Sequence, residues 1–191
     1  MPKAERRART SRPKRLVVDA SVLHAAGSAE SVHPVGARCR DTLIVIRDGP
    51  HHIAITDEIV EEWNRHASGF ARAWRVAMHA RRKTIKVPPT DCADVITILR
   101  NSKNFSAPQT AVVEKDMHLV AAARSADKTI LSLDERTRAL LRALTVETRA
   151  LDGVLWAHPA NEFDLLRGWL AEGRKAAPHW RLNPASAGRK G

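Results

Sequence analysis

RLVVD, residues 15–19, is the stretch that decides the fold. Leu16, Val17 and Val18 form an apolar, partly β-branched run of the kind found in buried strands of parallel sheets. Asp19 closes the run, and a carboxylate directly after a buried strand is costly to desolvate unless a cation meets it. The stretch therefore predicts both a buried parallel strand and a functional site at its carboxyl end.

Similar short apolar runs recur along the chain and alternate with helical patterns. Further strands are predicted at 52–55, 85–87, 129–133 and 154–157, and helices at 38–48, 56–66, 69–82, 91–100, 110–126, 135–144 and 162–171. The segment between the helices at 91–100 and 110–126 is predicted to be a loop. Alternating strands and helices are typical of an α/β domain with a mainly parallel sheet.

The net charge of +11 lies in the two ends of the chain. Residues 1–15 hold seven Lys/Arg and one Glu, residues 173–191 hold five Lys/Arg and no acid, and residues 16–172 hold 20 of each sign. We therefore predict a basic N-terminal arm (1–15), one domain (16–172) and a basic C-terminal tail (173–191). Basic ends suit a polyanion such as nucleic acid; the alternative is that they only aid solubility.

Several protein classes are disfavoured by composition. No run of about 18 apolar residues exists, so we expect no membrane-spanning segment. The N-terminus has no apolar segment behind its charges, so we expect no secretory signal. Cys39 and Cys92 stand alone without CxxC spacing, which indicates neither a zinc site nor a disulfide framework. A cytoplasmic setting is the simplest expectation.

Acidic residues occur at three further places, either directly after an apolar run or within a helix that has an apolar face. Asp134 closes the predicted strand at 129–133, so it should reach the same crevice as Asp19 at the carboxyl ends of the strands. Asp116 is predicted to lie on the apolar face of the helix at 110–126, a face it shares with Val112, Val113, Leu119, Val120 and Ala123. Carboxylates that converge in this way suit a hard divalent cation and phosphodiester chemistry.

The third place is the predicted helix at 56–66, which carries three glutamates. Glu58 and Glu62 share a helix face, whereas Glu61 lies to one side. Periodicity alone does not decide which of them faces the crevice. A stretch without acids follows from Glu62 to Asp91, and its Lys and Arg residues would suit a substrate backbone held beside the carboxylates.

These residues, in this order, resemble the acidic signature of the PIN-domain nucleases. The motifs LVVDASVL, EEW, EKDMHLVAAA and TILSLDE carry the resemblance over roughly residues 15–157. It aligns Asp19, Glu62, Asp116 and Asp134 with the family's four metal-binding acids, with Glu61 as the alternative to Glu62. Ser21 and Ser132 align with the small hydroxyl residues of the family.

The resemblance implies a three-layer α/β/α fold in which a parallel sheet lies between helices. It also implies Mg²⁺ or Mn²⁺ at the acidic cluster and cleavage of single-stranded or structured RNA. A protein partner such as an antitoxin, and a homodimer, are further expectations of the family. The chain departs from compact members, including the small toxin ribonucleases, in its longer segment 70–105 and in Glu135, which leaves Asp134 and Glu135 as alternative ligands.

Three other hypotheses compete with that of a metal-dependent nuclease. A haloacid-dehalogenase-type phosphatase needs Asp-x-Asp after its first strand, whereas this chain has Asp19-Ala20-Ser21. A catalytically silent RNA-binding module with the same fold would have lost its acids, whereas all four positions are filled here. A histidine-based site at His24 or His118 lacks any ligand spacing such as HExxH. Nuclease activity is therefore the leading prediction, and a silent RNA-binding module is its alternative.

Overall fold

The computed structural model describes residues 11–27 and 33–185. In this part of the chain five short strands form one parallel sheet. The strands are β1 (Arg15–Val18), β2 (His52–Ile55), β3 (Thr84–Lys86), β4 (Thr129–Leu131) and β5 (Leu155–Ala157). Their order across the sheet is β3-β2-β1-β4-β5. The predicted α/β class with a parallel central sheet is confirmed.

Nine α-helices of the described residues flank this sheet and complete the three-layer α/β/α arrangement. They are α1 (Ala20–Ala25), α2 (Pro34–Asp48), α3 (Asp57–His66), α4 (Gly69–Ala80), α5 (Ala93–Asn101), α6 (Ala107–Lys115), α7 (Met117–Arg124), α8 (Glu135–Leu144) and α9 (Phe163–Glu172). None of them is long and apolar enough to cross a membrane.

Strand β1 is the centre of the sheet and the point at which the strand order reverses. Successive strands first add on one side of β1, as β2 and β3, and then on the other, as β4 and β5. Val18 of β1 pairs with Leu131 of β4, so the residues that follow the two strands emerge side by side. Such a reversal leaves a crevice at the carboxyl ends of the strands, which is where α/β proteins place their sites.

The core explains why the apolar runs form strands. Leu16, Val17 and Val18 are fully buried, as expected for a central strand covered on both faces. Trp63 of α3 and Trp74 of α4 pack edge to face with ring centroids 6.3 Å apart. Each indole N–H donates to a backbone carbonyl, Trp63 to Val18 over 2.9 Å and Trp74 to Leu43 over 2.6 Å. The buried polar atoms of both rings are therefore satisfied.

Two local predictions differ from the structure. The helix predicted at 110–126 is two helices, α6 and α7, which meet at Asp116. Helix α6 begins at Ala107, inside the segment predicted to be a loop, because Ser106 and Gln109 form a capping box at its start. Helix α1, which follows Asp19 directly, was not predicted.

The folded unit continues past residue 172, where the predicted domain ends. Trp180 and Leu182 are fully buried, and Trp180 packs edge to face on Trp169 of α9 with centroids 5.5 Å apart. At the other end Ser11 is also buried. Residues 1–10 of the predicted arm and 186–191 of the predicted tail lie outside the described residues.

Candidate metal centre

Asp19 is held at the start of α1 by two serine hydroxyls. The residue is 8% exposed, and its carboxylate caps the start of α1. Ser21 Oγ donates to Asp19 Oδ2 over 2.5 Å, and Ser132 Oγ donates to the same oxygen over 2.6 Å. The two serines come from different strand ends, so the sheet itself fixes where this carboxylate points.

The directions of these hydroxyl protons follow from backbone contacts. Leu133 N donates to Ser21 Oγ over 3.1 Å, and Asp134 N donates to Ser132 Oγ over 3.0 Å. Each hydroxyl accepts from the backbone and is left to donate to the carboxylate. Asp19 Oδ2 is thus saturated, whereas Asp19 Oδ1 has only a long contact of 3.4 Å with Ser21 N. Oδ1 is the oxygen that could bind a ligand.

Asp134 caps the start of α8, and its carboxylate shares the hydroxyl of Thr137 with the carboxylate of Asp116. Asp134 Oδ1 accepts from Thr137 N over 2.7 Å, which is a helix N-cap. Thr137 Oγ1 lies 3.0 Å from Asp134 Oδ2 and 2.7 Å from Asp116 Oδ2. The hydroxyl has one proton, so it donates to one carboxylate at a time. Both carboxylates nevertheless lie within hydrogen-bond distance of it.

Asp116 lies at the junction of α6 and α7 rather than on the face of one continuous helix. Its backbone (φ −99°, ψ 6°) ends the first helix and begins the second, and this break directs the half-buried carboxylate toward the strand ends. Burial raises the pKa of Asp116; the Thr137 hydrogen bond lowers it, and the negative charges of Asp19 and Asp134 raise it further. The helix assignment was wrong, but the carboxylate does face the crevice.

Glu62 reaches the same crevice from α3 and is paired with a histidine. His118 Nε2 lies 3.1 Å from Glu62 Oε2, and His118 Nδ1 lies 3.0 Å from the carbonyl oxygen of Lys115. The imidazole ring is thus oriented through contacts at both of its nitrogens. His118 is therefore the residue that fixes the direction of Glu62.

The structure distinguishes between the acids that the sequence left as alternatives. Glu58 and Glu61 are exposed and do not line the crevice of Asp19. Glu135 pairs instead with Arg138, with Oε1 and Nη1 2.9 Å apart. Glu62 and Asp134 are thus the members of each group that face Asp19.

One cleft of about 260 Å³ collects all four predicted acids. Its lining consists of Asp19, Ala20, Ser21, His24, Glu62, His66, Lys115, Asp116 and Asp134. Among the described residues no three His, Cys, Asp or Glu side chains stand close enough to hold a metal ion as they are.

The donor set nevertheless suits Mg²⁺ or Mn²⁺. Four carboxylates supply only oxygen, which these ions prefer. Lys115 is the one Lys or Arg among the cleft residues that are described. The raised pKa of Asp116 also reflects repulsion by Asp19 and Asp134, which a cation would relieve.

Sequence reasoning did not identify Thr137 or the role of His118. Thr137 follows Asp134 by three residues, and an aspartate at a helix start with a hydroxyl residue three positions later is a readable cap. His118 had no such signal, because its link to Glu62 joins α3 and α7 across 56 residues of sequence.

The chain matches no protein-family model and no curated protein. The resemblance to the PIN-domain nucleases therefore rests on the acidic positions and their order.

Proposed function

We propose that this protein is a divalent-metal-dependent endoribonuclease of the PIN type. The observation that carries the proposal is the single cleft lined by Asp19, Glu62, Asp116 and Asp134 at the point where the strand order reverses. Clefts in that position hold the reacting groups of many α/β enzymes. Four carboxylates beside a single lysine among the described cleft residues favour metal-assisted phosphodiester hydrolysis over nucleophilic side-chain catalysis.

Each acid has a proposed role. Asp19, Asp116 and Asp134 would hold Mg²⁺ or Mn²⁺, and Glu62 would hold a second ion or orient the attacking water. The bound ion would supply a water of lowered pKa and would neutralise charge on the phosphate oxygens.

The other residues of the cleft position these acids. Ser21 and Ser132 fix Asp19, and Thr137 keeps Asp116 and Asp134 together. Such supporting hydrogen bonds orient metal ligands and tune their affinity. Lys115 offers a cation to a phosphate that enters the cleft.

The substrate proposed is RNA, single-stranded or structured. The basic ends of the chain and the basic segment after Glu62 would attract its backbone. We place the reaction in the cytoplasm, where Cys39 and Cys92, which are both free and buried, would stay reduced. An antitoxin-like protein partner and a homodimer remain proposals of the family resemblance.

Cleavage of a labelled single-stranded RNA tests the proposal. We expect the wild type to cut with Mg²⁺ or Mn²⁺ and to stop with EDTA, and Asp19→Asn to lose activity by about 100-fold or more. Glu172→Gln is the matched control, because it also removes one negative charge from an exposed acid outside the cleft. Equal activity of Asp19→Asn and wild type would refute the metal site.

A second candidate is a silent RNA-binding module that acts through a protein partner. It is favoured by the contact between Glu62 and His118, which engages one of the four acids of the cleft. This candidate predicts RNA binding without cleavage under any divalent cation, and binding that Asp19→Asn leaves unchanged.

A further inference from the structure

A second concave surface lies on the other side of α3 and is mostly apolar. This surface, which we call the α3–α4 groove, encloses about 670 Å³. It is lined by Ile53, Ile55, Val60, Trp63, Asn64, Arg72, Arg75, Val76, His79, Ala80 and Thr84. None of these residues lines the acidic cleft. The groove is therefore a site apart from the proposed nuclease centre.

The groove has a shape that can hold a helix. Its α3 residues are spaced three and four apart (60, 63 and 64), and its α4 residues are spaced three, four and seven apart (72, 75, 76 and 79). Each helix thus presents one face. Ile53 and Ile55 of β2 form the floor, and Thr84 belongs to β3, the edge strand of the sheet. Val76 is 71% exposed and lies beside other apolar side chains of the groove, so it adds accessible apolar surface there.

The rim of the groove is positive. Arg72, Arg75 and His79 line it, and no Asp or Glu does among the residues that the structure describes. Arg75 is held in place, since it donates to Asn64 Oδ1 over 3.0 Å and lies over the Trp63 ring at 5.2 Å. The nearby acids Asp48 and Asp57 are already paired with Arg81 and Lys86. An occupant with carboxylates would find cations that no neighbouring acid neutralises.

We propose that the α3–α4 groove binds an acidic amphipathic helix of a partner protein. Apolar side chains on one face of that helix would cover Val76, Val60 and Ile55, and its flanking Asp or Glu would meet Arg72 and Arg75. Nucleic acid is the poorer fit. Within the described part of the chain, Trp63 is the one Trp, Phe or Tyr of the lining. It is 2% exposed and covered by Arg75, so it offers no open ring face for a base to stack on.

The proposal goes beyond the nuclease function and links to it through α3. The same helix presents Glu62 to the acidic cleft and Val60 and Trp63 to the groove. A partner seated in the groove would contact the helix that carries one of the proposed metal ligands.

Peptide selection on the purified full-length chain tests the proposal. Phage-displayed random peptides of 12 residues, the length of α4, are selected on the wild type after depletion on Val76→Glu. We expect enriched peptides to carry apolar residues at helical spacing flanked by Asp or Glu. Their synthetic forms should bind the wild type and lose at least about tenfold in affinity on Val76→Glu and on Arg72→Glu.

Val146→Glu is the matched control, because Val146 is 88% exposed and lies outside the groove. It should bind the peptides as the wild type does, and added salt should weaken binding to both. Failure to enrich acidic amphipathic peptides, or equal loss on Val146→Glu, would overturn the proposal. So would a loss of single-stranded RNA binding on Val76→Glu, or a wild-type dimer that Val76→Glu dissociates, because each would assign another occupant to the groove. None of these results depends on cleavage activity.

Discussion

Ser132 Oγ donates a hydrogen bond of 2.6 Å to Asp19 Oδ2, and this contact joins the ends of two neighbouring strands. Ser132 is fully buried and follows β4, while Asp19 follows β1. The backbone repeats the link, since Asp19 N donates to the carbonyl of Leu131 over 2.9 Å. The backbone bond links the two strand ends, and the serine hydroxyl next to it orients the carboxylate.

The substitution Ser132→Ala should lower both the stability of the protein and its metal-dependent activity. Asp19 Oδ2 would keep only Ser21, and Asp134 N would lose its acceptor, so we expect a loss of about 1–3 kcal/mol in the free energy of unfolding. We also expect metal affinity and metal-dependent cleavage to fall about 10- to 100-fold. Urea unfolding, calorimetric Mn²⁺ titration and RNA cleavage measure these changes. Ser102→Ala is the control, because it also removes a hydrogen-bonded serine hydroxyl, at a half-buried position outside the cleft. Metal affinity and cleavage that Ser132→Ala leaves unchanged would contradict the assignment.

Asp116→Asn should lower activity while it leaves the fold as stable or makes it more stable. The raised pKa of Asp116 shows that the folded state disfavours its ionised form, chiefly through burial. A neutral amide removes that penalty and the repulsion from Asp19 and Asp134, and its oxygen can still accept from Thr137. We expect RNA cleavage to be abolished and the thermal midpoint to stay level or rise. Normal cleavage in the presence of Mn²⁺ would show that Asp116 is not a ligand.

The sequence predicted what depends on local pattern. The strand at RLVVD and the parallel sheet follow from the apolar runs and their alternation with helices. The inward direction of Asp116 was predicted from the face of one continuous helix, whereas the structure produces it at a junction of two helices. The split at Asp116 was not predicted, because the residues on both sides of it favour a helix; in the structure Asp116 lies at the break and its carboxylate accepts from Thr137 of α8. The choice of Glu62 over Glu61 likewise depends on His118, which lies far away in sequence.

The C-terminal end of the chain shows the same limit of prediction from local sequence pattern. A count of charges marks residues 173–185 as tail, yet Trp180 and Leu182 are buried in the core. Two large apolar residues within a basic segment are a weak signal by themselves. Their burial depends on Trp169 and on the backbone bond from Leu182 N to the carbonyl of Val154 over 2.9 Å.

Arg138 should be the residue that fastens this C-terminal segment. Its guanidinium is 6% exposed, bonds the carbonyl of His179 over 2.7 Å and lies 3.6 Å from Glu162. Arg138→Met would leave the His179 carbonyl without its donor, while Glu162 would keep its contacts with His179 Nε2 and His158 N. We expect a loss of about 1.5–3 kcal/mol in urea unfolding. Arg136→Met, at an exposed position of the same helix, should change stability by less than about 0.5 kcal/mol. Equal effects of the two substitutions would contradict this role.

Stability should fall as the pH drops below about 6.5, through His51. His51 is fully buried and its Nε2 donates to the carbonyl of Leu170 over 2.9 Å. Burial lowers the pKa of His51 below its ordinary value of 6.5. The unfolded chain therefore takes up a proton before the folded one does, and the free energy of unfolding falls by at most about 1.4 kcal/mol per pH unit for this group.

Urea unfolding above and below that pH measures the effect of His51. His51→Gln is the comparison, because a glutamine amide can still donate to Leu170 but does not titrate. We expect the variant to lose less stability than the wild type on acidification. An identical pH dependence of the two proteins would assign the acid sensitivity to other groups.

The basic N-terminal arm should be tested by removing residues 2–10 and no more. Ser11 is buried, Lys14 Nζ lies 4.7 Å from the Trp169 ring centroid, and the carbonyl of Lys14 accepts from His52 N over 2.8 Å. A longer deletion would therefore damage the fold and confuse the result. The shorter one removes four Lys/Arg, and we expect weaker RNA binding with a salt slope reduced by about three. A full-length variant with those four residues changed to Gln should bind RNA like the deletion; wild-type binding by both would show that the arm only aids solubility.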